Sequence, residues 1–388
     1  PGFVVPGGPL DAETRRRGTT VYCPDHRIPL HPMTLSEDAA SLLPGQDRPA
    51  IVWELDLDAD GEVERHDVRR AVVRSRERFD YETVQRRFDA GDPPDPIAPL
   101  ERFGEARIAR GVERGAITIR LPEQEVEKDG GKWGIVTRAE QRSSRWNAEA
   151  SILTGMVAAE MMIGAGTGIL RTLPTPTPEM LGELRGVARS LGIAWSSDRR
   201  PGDVLATLDP ARPRPLALFE HASRLLRGAG YLALVDGVPD GDLNHGGLAA
   251  AYAHVTAPIR RLVDRFGLEI CVSVAADRSP PEWTTADLAD VPQIMDATGQ
   301  RAGTVESQCV NVAEAWVMAK RIGESFEAVV LAHSRGGAQV WIDEPPIQIW
   351  VPDVQLKPGK ILELAVTEVD VEQGRILLQR VSDDSPAR

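Results

Sequence analysis

Two adjacent arginines near the end of residues 252–261 are the side chains best placed to do chemistry in this chain. The segment reads Tyr-Ala-His-Val-Thr-Ala-Pro-Ile-Arg-Arg and ends with Arg260 and Arg261. Pro258 predicts the start of a helix, because its missing N–H does no harm in a first turn, and Thr256 is placed to cap that helix. Guanidinium groups beside the positive end of a helix dipole grip phosphate together with main-chain N–H donors. The segment therefore predicts phosphate binding.

Composition limits the setting in which such a site can work. A chain of 388 residues can bury a large core and predicts two domains. The net charge of -13 argues against a broadly basic exterior for nucleic acid, yet it allows an inner channel lined by arginine. The three cysteines are far apart and odd in number, so they favour neither a disulfide framework nor a zinc site. We therefore expect a cytoplasmic protein.

The two ends of the chain and its apolar runs add further expectations. No apolar run reaches about 18 residues, so the sequence predicts no membrane span. No signal peptide is visible at the start. The first residue is Pro1 rather than Met, which leads us to expect further residues upstream.

Periodicity predicts the elements that must position the arginines. Helical spacing of apolar residues predicts helices at 10–17, 81–88, 100–113, 144–164, 179–191, 215–227, 260–274 and 302–321. Alternation and β-branched content predict strands at 19–22, 51–57, 68–73 and 117–121, whereas the polar residues 123–132 are typical of a turn. Beyond residue 323, five short strands begin at Phe326, Ala338, Ile347, Lys360 and Arg375. Their spacing suits a small closed barrel of the OB type.

Five blocks of this sequence together resemble the ribonuclease II family, the RNB-domain exoribonucleases that degrade RNA from its 3′ end. The blocks are residues 17–48, with recurrent Pro and Gly, residues 77–81, residues 146–150, residues 252–265 and the terminal barrel. The resemblance implies an α+β fold. It implies an RNB domain, a mixed sheet with surrounding helices, over residues 1–321 but lacking its N-terminal part, followed by a five-stranded OB-fold RNA-binding barrel over residues 322–384.

The same resemblance implies roles for individual residues. Arg260 would contact the scissile phosphate as the catalytic residue, and Tyr81 would stack on the terminal base. Further RNA contacts are implied for Tyr252, His254, Thr256, Arg261 and Glu306. Residues 170–178, where some relatives place a second stacking aromatic, hold no aromatic here, which makes the length of the end product an open question.

Each of these residues also has a structural alternative. Arg260 could form an ion pair at a helix N-terminus, and Arg261 could be a structural or a backbone contact. Tyr81 could be a buried tyrosine at a helix start, and His254 a polar residue satisfied inside the protein. The position of Glu306 in the family pattern is loose, and Glu314 is its rival.

Metal ligands are the missing part of this chemistry. Family members use clustered aspartates to hold magnesium, and the resemblance places that cluster just upstream of residue 17. Asp56, Asp58 and Asp60 fit a hairpin instead, and the aspartates of residues 236–242 fit a loop. We therefore expect the Mg²⁺ ligands upstream of Pro1 and none in this chain.

The function implied by the resemblance is a magnesium-dependent 3′-to-5′ exoribonuclease. It would hydrolyse single-stranded RNA to nucleoside 5′-monophosphates, and we expect it to act as a monomer. The main alternative is a catalytically inactive RNB-type scaffold that binds RNA. A second alternative is a calcium-regulated protein, because residues 56–67 match an EF-hand loop with Asp67 in the place of the final Glu. The flanking residues alternate as strands, however, and predict a hairpin turn at Asp60-Gly61.

Overall fold

The computed structural model describes residues 2–129, 132–138, 140–334 and 336–381, and these residues fold as an α+β protein, as predicted. Residues 382–384 of the predicted barrel domain lie outside the described part. The helices α1 to α10 span Pro9–Arg17, Tyr81–Asp89, Leu100–Arg114, Arg142–Ala165, Pro178–Ser190, Pro201–Leu205, Pro213–Ala222, Leu262–Ala275, Glu282–Ala286 and Val291–Met318. The strands β1 to β15 span Val21–Tyr22, Arg27–Ile28, Asp47–Leu57, Val63–Arg74, Glu123–Asp129, Lys132–Arg138, Gly168–Thr172, Gly230–Leu234, Asn244–His245, Ala250–Ala251, Ser325–Ser334, Gly337–Asp343, Pro346–Pro352, Ile361–Asp370 and Arg375–Arg380.

Helix α8 lies at the centre of the larger domain. Its residues from Leu262 to Ser273 are buried on all sides, as expected for a core helix that is apolar around most of its circumference. It packs against α4 and β7 in one continuous apolar cluster. α4 is also the one described helix that is long and apolar enough to cross a membrane, by length and composition only. Its Trp146, Leu153 and Met162 are buried in the protein.

The long hairpin of β3 and β4 confirms the predicted turn at Asp60-Gly61. The two strands pair antiparallel from Asp47 opposite Arg74 to Leu57 opposite Val63. The Asp58 carboxylate accepts hydrogen bonds from the backbone N–H groups of Asp60, at 2.9 Å, and Glu62, at 2.8 Å. Strands rather than helices flank the loop, and the turn already engages this carboxylate. The EF-hand interpretation is therefore wrong.

The C-terminal residues form the predicted barrel. Strands β11 to β15 make one antiparallel sheet in the order β13-β12-β11-β14-β15, which curls into a nearly closed barrel. Its interior contains alternating apolar side chains such as Val330, Val340 and Leu364. The barrel packs on the larger domain through α7, where Leu216 contacts an apolar patch that includes Leu331. The boundary placed at residues 321 and 322 remains a prediction.

Outside the arginine segment, three element predictions are wrong. Residues 117–121 form no strand, because their apolar side chains pack into a helical cluster and Ile117 donates only to the Gly247 carbonyl, at 2.8 Å. The polar residues 123–132 supply β5, which pairs with β6 through opposite charges such as Glu125 and Arg138. α10 begins at Val291 rather than residue 302, since a proline in its first turn is compatible with a helix start and the helix accommodates its glycines.

Glu314 lies where α10 contacts the barrel, and its burial predicts how the stability of the protein depends on pH. Its side chain is 6% exposed and accepts a hydrogen bond of 2.7 Å from the Gln124 amide, which also donates to the Pro346 carbonyl. Burial raises the pKa of Glu314 from 4.5 to about 7. A raised pKa means that this carboxyl contributes stability below its unfolded pKa and loses that contribution as pH rises through 7.

We therefore expect Glu314→Gln to be more stable than the wild type at pH 8, by on the order of 2–3 kcal/mol. At pH 5 most of that advantage should vanish, because Glu314 is then protonated in the folded protein. Urea denaturation at both pH values measures the difference. The exposed Glu324 provides the control, since Glu324→Gln should change stability equally little at both. An equal stability gain at pH 5 and pH 8 would show that Glu314 is not held protonated.

Candidate functional site

The segment that carries the two arginines runs between α4 and β7 before it turns. The Ala253 N–H donates to the Gly155 carbonyl of α4, at 3.0 Å, and the Tyr252 carbonyl accepts from the Arg171 N–H, at 2.8 Å. A Cβ at Gly155 would lie 2.2 Å from the Tyr252 ring and 2.5 Å from the Ala253 carbonyl oxygen. Glycine is therefore required where α4 passes this segment.

The first block of the sequence holds the turn that follows. The Arg260 carbonyl accepts hydrogen bonds from the Thr20 N–H, at 3.0 Å, and the Thr19 hydroxyl, at 3.1 Å. The buried imidazole of His31 contacts the Pro258 carbonyl through Nε2, at 3.3 Å. Two blocks that are about 240 residues apart in sequence therefore meet, and together they fix the backbone from which Arg260 projects.

The helix after the turn begins later than predicted. α8 starts at Leu262 with Arg261 in the N-cap position, so Pro258 lies in a turn and Thr256 does not cap the helix. The reason is the buried Asp264, whose carboxylate accepts from the Ala257 N–H, at 2.6 Å, and thereby organises the turn from inside α8. Thr256 itself is exposed just before this turn.

Asp264 also distinguishes the two arginines. The Arg261 guanidinium donates to both of its carboxylate oxygens, at 2.7 and 2.9 Å, which is the two-pronged geometry of a strong ion pair. Arg260 is exposed, and no described residue forms an ion pair with it. Of the adjacent arginines, Arg260 is therefore the one available to a ligand, whereas Arg261 is largely committed to the fold.

Aromatic and imidazole rings surround these cations. The Tyr231 hydroxyl and Nδ1 of His254 share a hydrogen bond of 2.8 Å. The ring of Tyr252 contacts that of His254 edge to face, with centroids 5.4 Å apart. Burial, followed by the charges of Arg261 and Arg171, lowers the pKa of His254 from 6.5 to about 2, so this imidazole is neutral. His254 thus contributes hydrogen bonding rather than charge.

Tyr81 lies at the start of α2, close to the N-terminal end of α4. Its side chain is 50% exposed, and its hydroxyl accepts from the Asn147 amide, at 3.0 Å. The structural alternative of a buried tyrosine is therefore wrong. Asn147 precedes Gly155 by eight residues of α4, which separates them by about 12 Å along the helix axis. Helix α4 thus connects the ring of Tyr81 with the arginine segment.

The two rival glutamates of α10 occupy different environments. Glu306 is partly exposed and accepts from the Tyr22 N–H, at 3.2 Å, which places it beside the first block. Glu314 is buried against Gln124 and the barrel. Glu306 is therefore the one of the two that remains open to a ligand near the site.

The described residues do not fit a magnesium site. Among them no group of three or more His, Cys, Asp or Glu side chains is placed to hold a metal ion. Asp56 pairs with Arg65 at 2.6 Å, and Asp242 accepts from the Thr175 hydroxyl, also at 2.6 Å. What these residues offer instead is a cationic, ring-lined surface suited to an anionic ligand.

Several residues of the site were not predicted from the sequence. Gly155, Arg171 and Tyr231 come from separate elements, and only the fold brings them to the arginine segment. Asp264 carried a usable signal, since it follows Arg261 by three residues at the start of a helix, where such pairs meet.

The chain is similar to known families and proteins. The RNB domain model matches residues 2–267, and the model of the RNase II-type exonuclease C-terminal S1 domain matches residues 324–381. Ribonuclease R of Thermotoga maritima is 30% identical over 367 residues, which cover 89% of this chain and 51% of that protein. The human exosome complex exonuclease RRP44 is 29% identical over 308 residues, covering 74% of this chain and 32% of that protein. The chain thus spans about half the length, or less, of these curated relatives.

Solved structures share the fold. The apo form of Mycoplasma genitalium RNase R superposes with a TM-score of 0.85 at 19% identity, covering 98% of this chain and 65% of that one. Yeast Ssd1, described as a pseudonuclease, superposes with a TM-score of 0.74 at 16% identity. The match covers 94% of this chain and 46% of that one. With the family model matched over most of the chain, the chain belongs to the RNB family of ribonuclease II-type proteins and contains an RNase II-type S1 domain at residues 324–381.

Proposed function

We propose that the complete protein is a 3′-to-5′ exoribonuclease that hydrolyses single-stranded RNA to nucleoside 5′-monophosphates. The observation that carries this proposal is the exposed Arg260, which has no ion-pair partner among the described residues and projects from a turn held by the first block. An exposed guanidinium on a held backbone suits a phosphodiester, because it can donate two parallel hydrogen bonds to phosphate oxygens.

The other predicted residues have positions that suit the same role. Tyr81 offers its half-exposed ring to the terminal base, and Thr256 is exposed beside the turn. Tyr252 and His254 supply a neutral, partly buried wall, while Glu306 lies open near the first block. Arg261 acts chiefly through Asp264, by holding the turn that presents Arg260. In this proposal the chain binds and orients the 3′ end of the strand.

The relatives support RNA as the ligand. Mycoplasma genitalium RNase R has been solved in complex with ribose-methylated single-stranded RNA and with double-stranded RNA. For the present chain we propose single-stranded RNA, bound between the ring-lined site and the S1 barrel. We further propose a cytoplasmic monomer, in keeping with the three free cysteines, Cys23, Cys271 and Cys309.

Magnesium belongs to the proposal for the complete protein only. Because the described residues do not fit a metal site, we propose that their part in catalysis is to bind and orient the RNA and, through Arg260, to stabilise charge at the scissile phosphate. We therefore expect the 388-residue chain to bind RNA but to cut it poorly by itself. A second candidate function, an inactive RNA-binding scaffold, is favoured by the fold shared with the pseudonuclease Ssd1.

A time course with the full-length protein separates the two candidates. Oligoribonucleotides labelled at the 3′ or the 5′ end are incubated with magnesium or with a chelator. An exoribonuclease of this polarity releases the 3′ label at once as a mononucleotide and shortens the 5′-labelled strand progressively. Binding without any shortening in magnesium would establish the scaffold, and release of the 5′ label first would contradict the proposed polarity.

Stacking on Tyr81 gives a further prediction. Tyr81→Ala should weaken binding of single-stranded RNA by about 1–3 kcal/mol, the usual worth of one base stacked on one aromatic ring. Tyr81→Phe keeps the ring and loses only the hydrogen bond to Asn147, so it serves as the matched control. Fluorescence anisotropy with a labelled oligonucleotide measures both variants. Equal losses of RNA affinity in Tyr81→Phe and Tyr81→Ala would assign the effect to the Asn147 contact rather than to stacking.

A further inference from the structure

Arg171 is a second cation at the site that the sequence blocks do not include. It lies on β7, and its N–H donates to the Tyr252 carbonyl at 2.8 Å, so its strand is joined directly to the arginine segment. Its guanidinium stacks on the Tyr231 ring at 4.7 Å from the centroid. The hydroxyl of that same tyrosine bonds to His254. Arg171 therefore belongs to the ring cluster behind Arg260.

The charge of Arg171 lacks compensation. The side chain is half-buried, and no described carboxylate pairs with it. Its one described polar contact is a long hydrogen bond of 3.5 Å to the Gly230 carbonyl, which leaves most of its five N–H donors open. Holding a cation out of water without an anion is costly, so such a group normally has an anionic partner.

The charges around Arg171 also favour an anionic ligand. Arg171, Arg260 and Arg261 all act electrostatically on the imidazole of His254. Asp264 compensates for Arg261 through the ion pair described above. The neutral rings of Tyr231, Tyr252 and His254 compensate for neither of the other two cations. An anion with two charges, or two neighbouring anions, would balance the cluster.

We propose that Arg171 binds a second backbone phosphate of the RNA strand, next to the phosphate held by Arg260. This inference rests on the proposed function and deepens it, because it names a further binding residue for the same substrate. Stacking on Tyr231 restrains the guanidinium and leaves its N–H edge free for phosphate oxygens. Residues 170–178 carry no aromatic side chain, so in this chain the segment would grip the sugar-phosphate backbone rather than a base.

The salt dependence of RNA binding tests this assignment, because each phosphate contact to a single strand adds about 0.7 to the slope of log affinity against log salt. Binding of a short fluorescein-labelled oligouridylate to the 388-residue chain is measured from about 50 to about 200 mM salt. Arg171→Gln should lower the slope by about 0.7 and weaken binding about 10-fold at low salt. Arg171→Lys should restore the slope but only part of the affinity, since lysine keeps the charge and loses the paired donors.

Arg185 provides the matched control. It is also half-buried, and its guanidinium stacks on Trp195 at 5.7 Å from the centroid, but on α5. Arg185→Gln should leave slope and affinity unchanged. An unchanged slope in Arg171→Gln, with RNA still bound by the wild type, overturns the assignment of Arg171 and leaves the proposed function intact. Failure of the wild type to bind RNA overturns the proposed function itself.

A second measurement needs no variant and covers the case in which Arg171→Gln does not fold. The wild-type chain is treated with phenylglyoxal, which modifies accessible arginines, with and without the oligouridylate. RNA should protect Arg171 and Arg260 and should leave the exposed Arg278, just beyond the far end of α8, equally modified. Modification of Arg171 that is unaffected by bound RNA counts against the proposal.

Discussion

Replacing Arg260 by alanine in the full-length protein should slow RNA degradation by about 100-fold or more, which is the usual cost of removing one donor that stabilises charge at a reacting centre. The side chain has no ion pair with a described residue, so the loss should arise at the substrate and not in the fold. Initial rates on labelled RNA measure the effect. Thermal unfolding of Arg260→Ala should match that of the wild type.

Two further variants sharpen this test. Arg260→Lys should recover only part of the rate, because an ammonium group cannot reproduce the paired donors of a guanidinium. Arg278→Ala removes another exposed arginine, just beyond the opposite end of α8, and should degrade RNA like the wild type. Undiminished degradation by Arg260→Ala would defeat the role of this residue.

The second large effect concerns stability rather than activity. Asp11 of α1 and Arg265 of α8 are 2% and 3% exposed and form an ion pair that joins the two helices. The Asp11 carboxylate also accepts from the Gly7 N–H, at 2.9 Å, and from Arg15, at 3.2 Å. Asp11→Asn leaves Arg265 buried without its anion, and we expect a loss of about 3–5 kcal/mol in the free energy of unfolding.

The pH dependence of that loss provides an internal check. Burial opposes ionisation of Asp11, but hydrogen bonds from Gly7 and Arg265 prevail and lower its pKa below 3.8. A lowered pKa contributes stability above the unfolded value that is lost as pH falls through the folded value. The gap between wild type and Asp11→Asn, measured by urea denaturation, should therefore close in acid. Glu13→Gln, in a partly exposed cluster on the same helix, should cost much less than Asp11→Asn at neutral pH. A gap that persists in acid would contradict this ion pair.

The sequence indicated the features that depend on local pattern. Alternating residues predicted the β3–β4 hairpin and all five barrel strands, since in both one face packs inward and the pattern repeats every second residue. The segment predicted to bind phosphate was recognisable because its residue types are contiguous. Arg260 and Tyr81 could therefore be singled out, and the structure leaves both side chains accessible.

Features that depend on distant contacts were not predictable in this way. The start of α8 is set by Asp264, which draws the Ala257 N–H and Arg261 into a turn where a helix was expected. The sequence of β5 is polar and resembles a turn. Its residues form a strand because Arg138 of β6 pairs with its glutamates. The sequence around Arg171 did not predict a place in the site, since only the fold brings this residue beside Tyr231 and Tyr252.

The central claim, that the 3′ end of an RNA strand lies between Tyr81 and Arg260, is tested most directly by photocrosslinking. An oligonucleotide with 4-thiouridine at its 3′ terminus is bound to the 388-residue chain, irradiated and mapped by mass spectrometry. Crosslinks should fall in the tryptic peptides of residues 79–86 and 228–260 and should disappear when the label is moved to the 5′ end. Crosslinks confined to the barrel, or the same peptides for both labels, would contradict the claim.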